Sequence, residues 1–466
     1  MTALWTAQEA AKATGGAVES DWEAQDVSID SRTLKPGDLF IALKGARHDG
    51  HVHAVEALDK GAAAVCISKY DESIPRDKCL IAADTTAALQ ALGYAARSRT
   101  GAKITAVTGS VGKTGVKDML YHAFSAQTAA HASEKSFNNH WGAPLTLARM
   151  PLETKTGIFE LGMNHAGEIT PLSEMVKPHI AIITTVEAVH IENFSNGIEG
   201  VAHAKSEILN GVAPGGAALL NADNEWFEFL SQKATKRKLD IYSFGRAEPA
   251  RARLISCDVH DDGLAYQIDL LGETISGTLP VMGTHHALNL LPVLLSVKLS
   301  GYDPAAAAHT LADWVPRDGR GRKETIPVND GDPVTLFDES YNASPVATRA
   351  AIAVLGRAQA TRKVAILGDM AELGDEAATY HAALAKDLKA ANIDAVYTCE
   401  TLMGHLNAAG PAPEREHYDS PAAIAEKIPQ LIKPGDAILV KGSRGGAEKP
   451  KMQVIIEAIR ALGGNT

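Results

Sequence analysis

A chain of 466 residues is too long for one ordinary hydrophobic core and calls for two or three domains. Its 45% apolar and 22% charged residues exclude a disordered polymer. Its net charge of −11 excludes the broad basic surface needed for sequence-independent nucleic-acid binding, though not a local pocket for a small anion.

The first residues, MTALWTAQEAAKATGG, lack a basic start followed by an apolar block and read as a short amphipathic helix, not a targeting segment. No apolar run is long enough to span a bilayer. DLFIALKG and GAAAVCIS read as buried strands around a helical HVHAVEALDKG, and LQALGYAARSRTGAK ends this part in a helix and a polar, glycine-containing break. From Ile104 onward strands alternate with helices. ITAVTG, TGIFELG, HIAIITTV and GGAALLNAD are nearly continuous apolar runs, as in parallel strands buried on both faces. ISCDVHDDGLAYQIDLLGETISGTLPVMG changes to alternation with turn residues, which predicts a hairpin. Two helical blocks follow, then the break PRDGRGRK. Beyond it PVTLFDES, RKVAILGD, IDAVYTC and DAILVKG are strands with helices between them. The expected architecture is α/β in three domains, over residues 1–100, 101–314 and 315–466. The first is the smallest, the second a P-loop-type domain with a mostly parallel sheet, and the third Rossmann-like. Cys66, Cys79, Cys257 and Cys399 form no Cys-x-x-Cys pair, which fits reduced thiols in the cytoplasm.

The segment TGSVGKTG follows the strand ITAVTG and opens a helix. Gly109, Ser110, Val111 and Gly112 can turn backbone N–H groups toward phosphate oxygens, and the helix adds its positive end. Lys113 supplies a cation for the terminal phosphates and Thr114 a hydroxyl for Mg²⁺. The plain alternative is a tight turn with an incidental lysine, and the loop alone does not separate a hydrolase, a kinase and a ligase. Glu160 ends the strand in IFELGMNHAGEI, at the edge where open α/β sheets hold ligands. A carboxylate there suits a hard cation, or simply caps a helix. His190 follows another strand in VHIENF, and Lys205 lies on the helical GVAHAKSEIL. Asn289 falls in GTHHALNLL, Arg320 and Arg322 in DGRGRK, and Asp338 and Asn342 at the strand end LFDESYNASP. Singly, each has an ordinary structural reading: a structural histidine, a solvated lysine, a charged linker.

In this order the segments resemble the Mur ligases, ATP-dependent amide-bond ligases of peptidoglycan-precursor synthesis, over essentially the whole chain. DSR followed by GDLFIALKG is similar to the family's N-terminal UDP-substrate domain. NNHWGAPLTL, FELGMNHAGEI, DESYNASP and LGDMAELG are similar to the branch that joins D-alanyl-D-alanine to UDP-N-acetylmuramoyl-tripeptide. The resemblance implies that Gly109 to Gly112, Lys113 and Thr114 form the ATP loop in the family's short form. It implies that Glu160 and His190 belong to two Mg²⁺ sites and that Lys205 is carried as a carbamate. Asn289 then lies near the adenine, Arg320 approaches ATP from the C-terminal domain, and Asp338 lies near the ribose. Ser31 and Arg32 match the uridine-nucleotide site, and Asn138 and Asn139 the substrate region of the central domain. It further implies an acyl-phosphate intermediate, ADP and phosphate as products, and a cytoplasmic monomer with neither nucleic-acid nor membrane partners.

Val111, Gly115, Val116, His286, the stretch IENFSN and the segment after Arg444 depart from the family pattern, and no role is assigned to Lys441 or Arg444. Two rival readings remain. One is a related ligase with another acceptor or a folylpolyglutamate-type synthetase. DESYNASP and LGDMAELG argue against the first, and the N-terminal segment against the second. The other is a nucleotide-hydrolysing switch, which would carry a guanine-reading Asn-Lys-x-Asp and would not need His190 and Lys205 together.

Overall fold

The continuous apolar runs of the middle of the chain build a nine-stranded sheet in the computed structural model, which describes residues 3–45, 48–328, 331–444 and 451–464. From one edge the strands run Ala130–Ala132, Thr156–Glu160, Lys103–Thr108, Ile180–Ile183, Ala217–Asn221 and Asp240–Gly245, all parallel. Alternate residues feed separate cores on the two faces, as a two-residue period requires. Val107, Ile158, Ile182 and Leu219 point to one core, and Ala106, Phe159, Ile183 and Leu220 to the other. Helices Lys113–Ser125 and Thr284–Leu299 cover the first face, and Ile169–Val176 and Ile198–Ser206 the second. The carboxyl ends of three central strands, at Thr108, Glu160 and Ile183, therefore lie side by side. That edge is where a ligand fits an open parallel sheet.

The predicted hairpin is a three-stranded meander, Ala252–His260, Gly263–Leu270 and Glu273–Leu279, added to the same sheet. Its second turn is Leu271–Gly272, with φ of +56° and +87°. Two left-handed residues make the turn that matches strand twist, but leucine in the first place gives the sequence no turn signal.

The N-terminal sheet is parallel, in the order Asp26–Ser28, Asp38–Ile41, Ala64–Ile67 and Cys79–Ile81. Its core is completed from outside. Helix Gly142–Ala148 is buried on all sides: Leu145 and Ala148 pack with Leu89 and Leu92 of helix Thr85–Arg99, while Ala143 and Leu147 belong to the central core. The Trp5 indole also donates to the Ala148 carbonyl at 2.8 Å. The C-terminal sheet has six strands in the order Arg322–Ile326, Val334–Glu339, Asp436–Lys441, Arg362–Leu367, Ala395–Cys399 and Glu414–Tyr418, with only the first antiparallel. Among the described residues no helix is long and apolar enough to cross a membrane, and all four cysteines are free.

Candidate active site

The loop after strand Lys103–Thr108 is clamped to its neighbour. Thr184, just past Ile180–Ile183, donates through Oγ1 to the Val111 carbonyl at 2.6 Å. Ser110 N donates to the Thr185 carbonyl at 2.8 Å, and its hydroxyl accepts from Glu187 N at 2.9 Å. The clamp requires glycine at two points. A Cβ on Gly109 (φ +147°) would overlap Thr184 Oγ1, and one on Gly112 (φ +86°) would stand 2.8 Å from Asn289 Oδ1. Gly112 has no side chain to cap helix Lys113–Ser125, so the first N–H groups of that helix are free to face an anion. Asn289, on helix Thr284–Leu299, thus backs the loop directly. Lys113 donates to the carbonyls of Gly109 (2.6 Å) and Ser110 (3.3 Å). Desolvation lowers its pKa, the Glu160 carboxylate opposes that, and the Arg320 charge adds to it.

Gly115 differs from the other two. A Cβ there would meet only Asn289 Nδ2, at 3.8 Å. Space does not require glycine in this first helical turn. Gly115→Ala is therefore expected to raise stability by about 0.5–1 kcal/mol through helix propensity, measured by denaturant unfolding.

Glu160, 1% exposed, is held between two donors. Thr114 Oγ1 reaches Oε2 and Asn138 Nδ2 reaches Oε1, both at 2.8 Å. A buried carboxylate beside a hydroxyl and the phosphate seat is a hard-oxygen donor set. It fits Mg²⁺, which takes few protein ligands and fills its octahedron with phosphate and water. Among the described residues no group of three His, Cys, Asp or Glu side chains could hold an ion without that help. Lys205 is 2% exposed, and its side chain has no hydrogen-bond or ion-pair partner among the described residues. Burial, and then the charge of Lys113, hold its pKa well below the usual lysine value. His190 is placed differently. Its Nδ1 hydrogen-bonds the Glu372 carboxylate of the C-terminal domain, which is held below its usual pKa by that bond. Both residues are in the left-handed region, at φ +56° and +65°. No hydrogen bond joins His190 to Glu160 or Lys205 among the described residues.

Arg320 closes the site from the C-terminal side. Its Nη2 donates to Ser136 Oγ at 2.9 Å, and its guanidinium lies 4.1 Å over the Tyr341 ring. Asp338 is fully buried and braces the Arg320 turn, accepting from Gly319 N (3.0 Å), Ser340 N (3.1 Å) and Ser340 Oγ (2.6 Å). Both its oxygens are engaged by protein donors, an arrangement that differs from a free ribose contact. Arg322 pairs with Asp318 at 2.6 Å on the surface. Lys441 is buried against Glu339 Oε2 and the Asn342 carbonyl, both at 3.0 Å. The longer segment after Arg444 falls at 445–450, outside the described residues.

At the N-terminal end, Ser31 Oγ lies 3.4 Å from Glu56 Oε2, and Arg32 grips Asp30 with two 2.9 Å bonds. Asn139 Oδ1 accepts from Trp141 N (3.2 Å) and Gly142 N (2.9 Å), starting the next helix. The two adjacent asparagines thus do different work: Asn138 turns to Glu160, and Asn139 shapes the chain. Sequence reasoning missed Thr184 and Tyr341. Burial raises the Tyr341 phenol's pKa, but a bond with Ser136 and the charges of Arg320 and Arg444 outweigh that and leave it lowered. Its only signal was a position in DESYNASP.

Known proteins match this chain over most of its length. Residues 23–99 match the family model "Mur ligase family, catalytic domain", 107–297 the "Mur ligase middle domain", and 321–444 the "Mur ligase, glutamate ligase domain". The UDP-N-acetylmuramoyl-tripeptide–D-alanyl-D-alanine ligase of Rickettsia prowazekii is 33% identical over 95% of this chain and 97% of its own. That of Bacillus subtilis is 32% identical over 93% of each. MurF from Acinetobacter baumannii superposes with a TM-score of 0.84 over 98% of both chains, at 26% identity. MurF from Thermotoga maritima, solved in complex with ADP, has the same fold (TM-score 0.76, 23% identity, 94% of this chain and 97% of that one). The chain belongs to the Mur ligase family, in its branch of UDP-N-acetylmuramoyl-tripeptide–D-alanyl-D-alanine ligases.

Proposed function

We propose that the protein joins D-alanyl-D-alanine to UDP-N-acetylmuramoyl-tripeptide, converting ATP to ADP and phosphate. The relatives' shared activity supports this reading. The observation that carries a ligase over a simple nucleotide hydrolase is Lys205, a buried, unpartnered amine next to the phosphate seat. Lowering an amine's pKa favours its neutral form, which can add CO₂ and lose a proton to become an anionic carbamate with hard oxygens.

The tripeptide carboxylate attacks the γ-phosphorus of ATP, and ADP leaves. The acyl phosphate so formed is attacked at its carbonyl carbon by the free amine of D-alanyl-D-alanine, and phosphate leaves as the amide forms. The first step brings together two anions, so the protein's main work is positioning and charge neutralisation. The loop N–H groups from Gly109 to Gly112 hold the phosphates. Lys113 leaves the carbonyls of Gly109 and Ser110 to meet them, and Arg320 faces them from the other domain. Mg²⁺, as two ions held by Thr114, Glu160, His190 and the Lys205 carbamate, would supply positive charge between carboxylate and phosphate. Asn289 lies beside the adenine and Asp338 on the ribose side. Ser31, Arg32, Asn138 and Asn139 serve the UDP-linked substrate. On this reading, residues 1–100 bind the nucleotide sugar, 101–314 bind ATP and 315–466 present the acceptor, in a cytoplasmic monomer. Closing the outer domains excludes the water that would hydrolyse the acyl phosphate.

The test is phosphate release and product mass with each substrate omitted in turn. Release that needs both the UDP-tripeptide and D-alanyl-D-alanine, with a product heavier by the dipeptide less water, is expected. Equal release from ATP alone would sink the reading.

A further inference from the structure

Lys117 and Asp118 lie one turn beyond Lys113 on the same helix, and no step above uses them. Lys117 is completely buried. Its Nζ donates to the carbonyls of Ser133 (2.9 Å) and Lys135 (2.6 Å) and lies 3.1 Å from Asp118 Oδ1. The two carbonyls accept hydrogen bonds, while the buried Asp118 oxygen is an ion-pair partner that makes no hydrogen bond of its own. Asp118 in turn meets Arg317 Nη2 at 2.8 Å. Arg317 sits in the connection between helix Pro304–Leu311 and strand Arg322–Ile326, and its carbonyl accepts from Arg320 N at 3.1 Å. Arg320 returns to Ser136 at 2.9 Å, in the segment whose carbonyls Lys117 holds. The circuit closes on itself: ATP helix, interdomain turn, Arg320, Ser136, and back to the ATP helix.

A lysine costs much to desolvate and is seldom fully buried for stability alone. Here its partners are the segment that carries Asn138 toward the phosphate seat and Asp118, which in turn meets Arg317 in the segment that carries Arg320. We propose that Lys117 and Asp118 are a positioning pair, which registers the Arg320 turn and the segment from Ser133 to Asn138 against the phosphate loop. This rests on the reading above, that Arg320 and Lys113 face ATP. Lys117 aligns the central-domain side and Asp118 the interdomain side, so the domains present their groups to ATP in one register.

The experiment is a double-mutant cycle on the full chain with Asp118→Asn and Arg317→Met. It reads ADP affinity by calorimetry, KM for ATP and for D-alanyl-D-alanine, and melting temperature. Each single variant is expected to weaken ADP binding and raise KM for ATP about tenfold, with the KM for D-alanyl-D-alanine within about twofold. The double variant is expected to be no worse than the weaker single one, because both remove the same link. Lys117→Met is expected to lower kcat as well, with Lys117→Arg recovering part of it. If Lys117→Met fails to fold, the Asp118–Arg317 cycle still decides. Multiplying losses in the double variant, or unchanged ADP affinity in both singles, overturns the proposal. Loss of ligation in the unaltered protein would instead overturn the parent reading, and the ADP cycle can be read in that case too.

Discussion

Lys205→Ala is expected to lower the ligation rate by about a thousandfold while leaving the fold intact. Lys205 is 2% exposed, and its side chain makes no hydrogen bond or ion pair among the described residues that the fold would lose. The variant should therefore melt no lower than the parent, while it lacks the anionic oxygens that a Lys205 carbamate would offer to Mg²⁺. A carbamate forms only on a neutral amine, and burial, with the Lys113 charge, lowers this amine's pKa and so favours that form. Lys205→Arg should not restore activity, because a guanidinium stays charged. A short carboxylic acid added to the alanine variant should restore part of it by placing an oxygen anion in the vacated space. ¹³C-labelled bicarbonate should give a carbamate resonance in the parent that the variant lacks. Near-normal turnover of Lys205→Ala at ambient CO₂ would defeat the carbamate reading.

Lys113→Met is the second large effect, a fall in kcat/KM of about a hundredfold to a thousandfold. Before ATP binds, the ammonium rests on the carbonyls of Gly109 and Ser110, so its loss leaves two acceptors that water can reach. The loop's shape depends on Thr184 and on the glycines, not on this side chain. Methionine at the first helical position also removes a cation that desolvation and Arg320 disfavour and that Glu160 favours. The melting temperature should stay nearly level, while phosphate release and ADP affinity both fall. A drop of less than tenfold would mean that the backbone N–H groups carry the phosphates almost alone.

Much of this was legible in the chain because it depends on local pattern. Parallel strands buried on both faces announce themselves as unbroken apolar runs, and the phosphate loop as glycines between a strand and a helix. What stayed hidden depends on partners far away in sequence. Lys117 carries no signal in the sequence, because the carbonyls of Ser133 and Lys135 come around it only in the fold. Thr184 is one of two threonines after a strand until its bond to Val111 appears. That Asp338 braces the turn of Arg320, through Gly319 and Ser340, is likewise a contact the motif does not announce. His190 met Glu372 across a domain boundary, a pairing that no spacing encodes.

Helix Gly142–Ala148 has a consequence for how this chain can evolve. It faces two cores at once, with Leu145 and Ala148 toward one and Ala143 and Leu147 toward the other. Its start is set by Asn139, next to the asparagine that holds Glu160. The few residues between Asn138 and Leu145 therefore act as a ruler between the Glu160 carboxylate and the core of the N-terminal sheet. One inserted residue would turn the helix by about 100° and send each apolar side chain toward the wrong core. Length variation among relatives should therefore collect in surface loops and spare this stretch, whatever its side chains become.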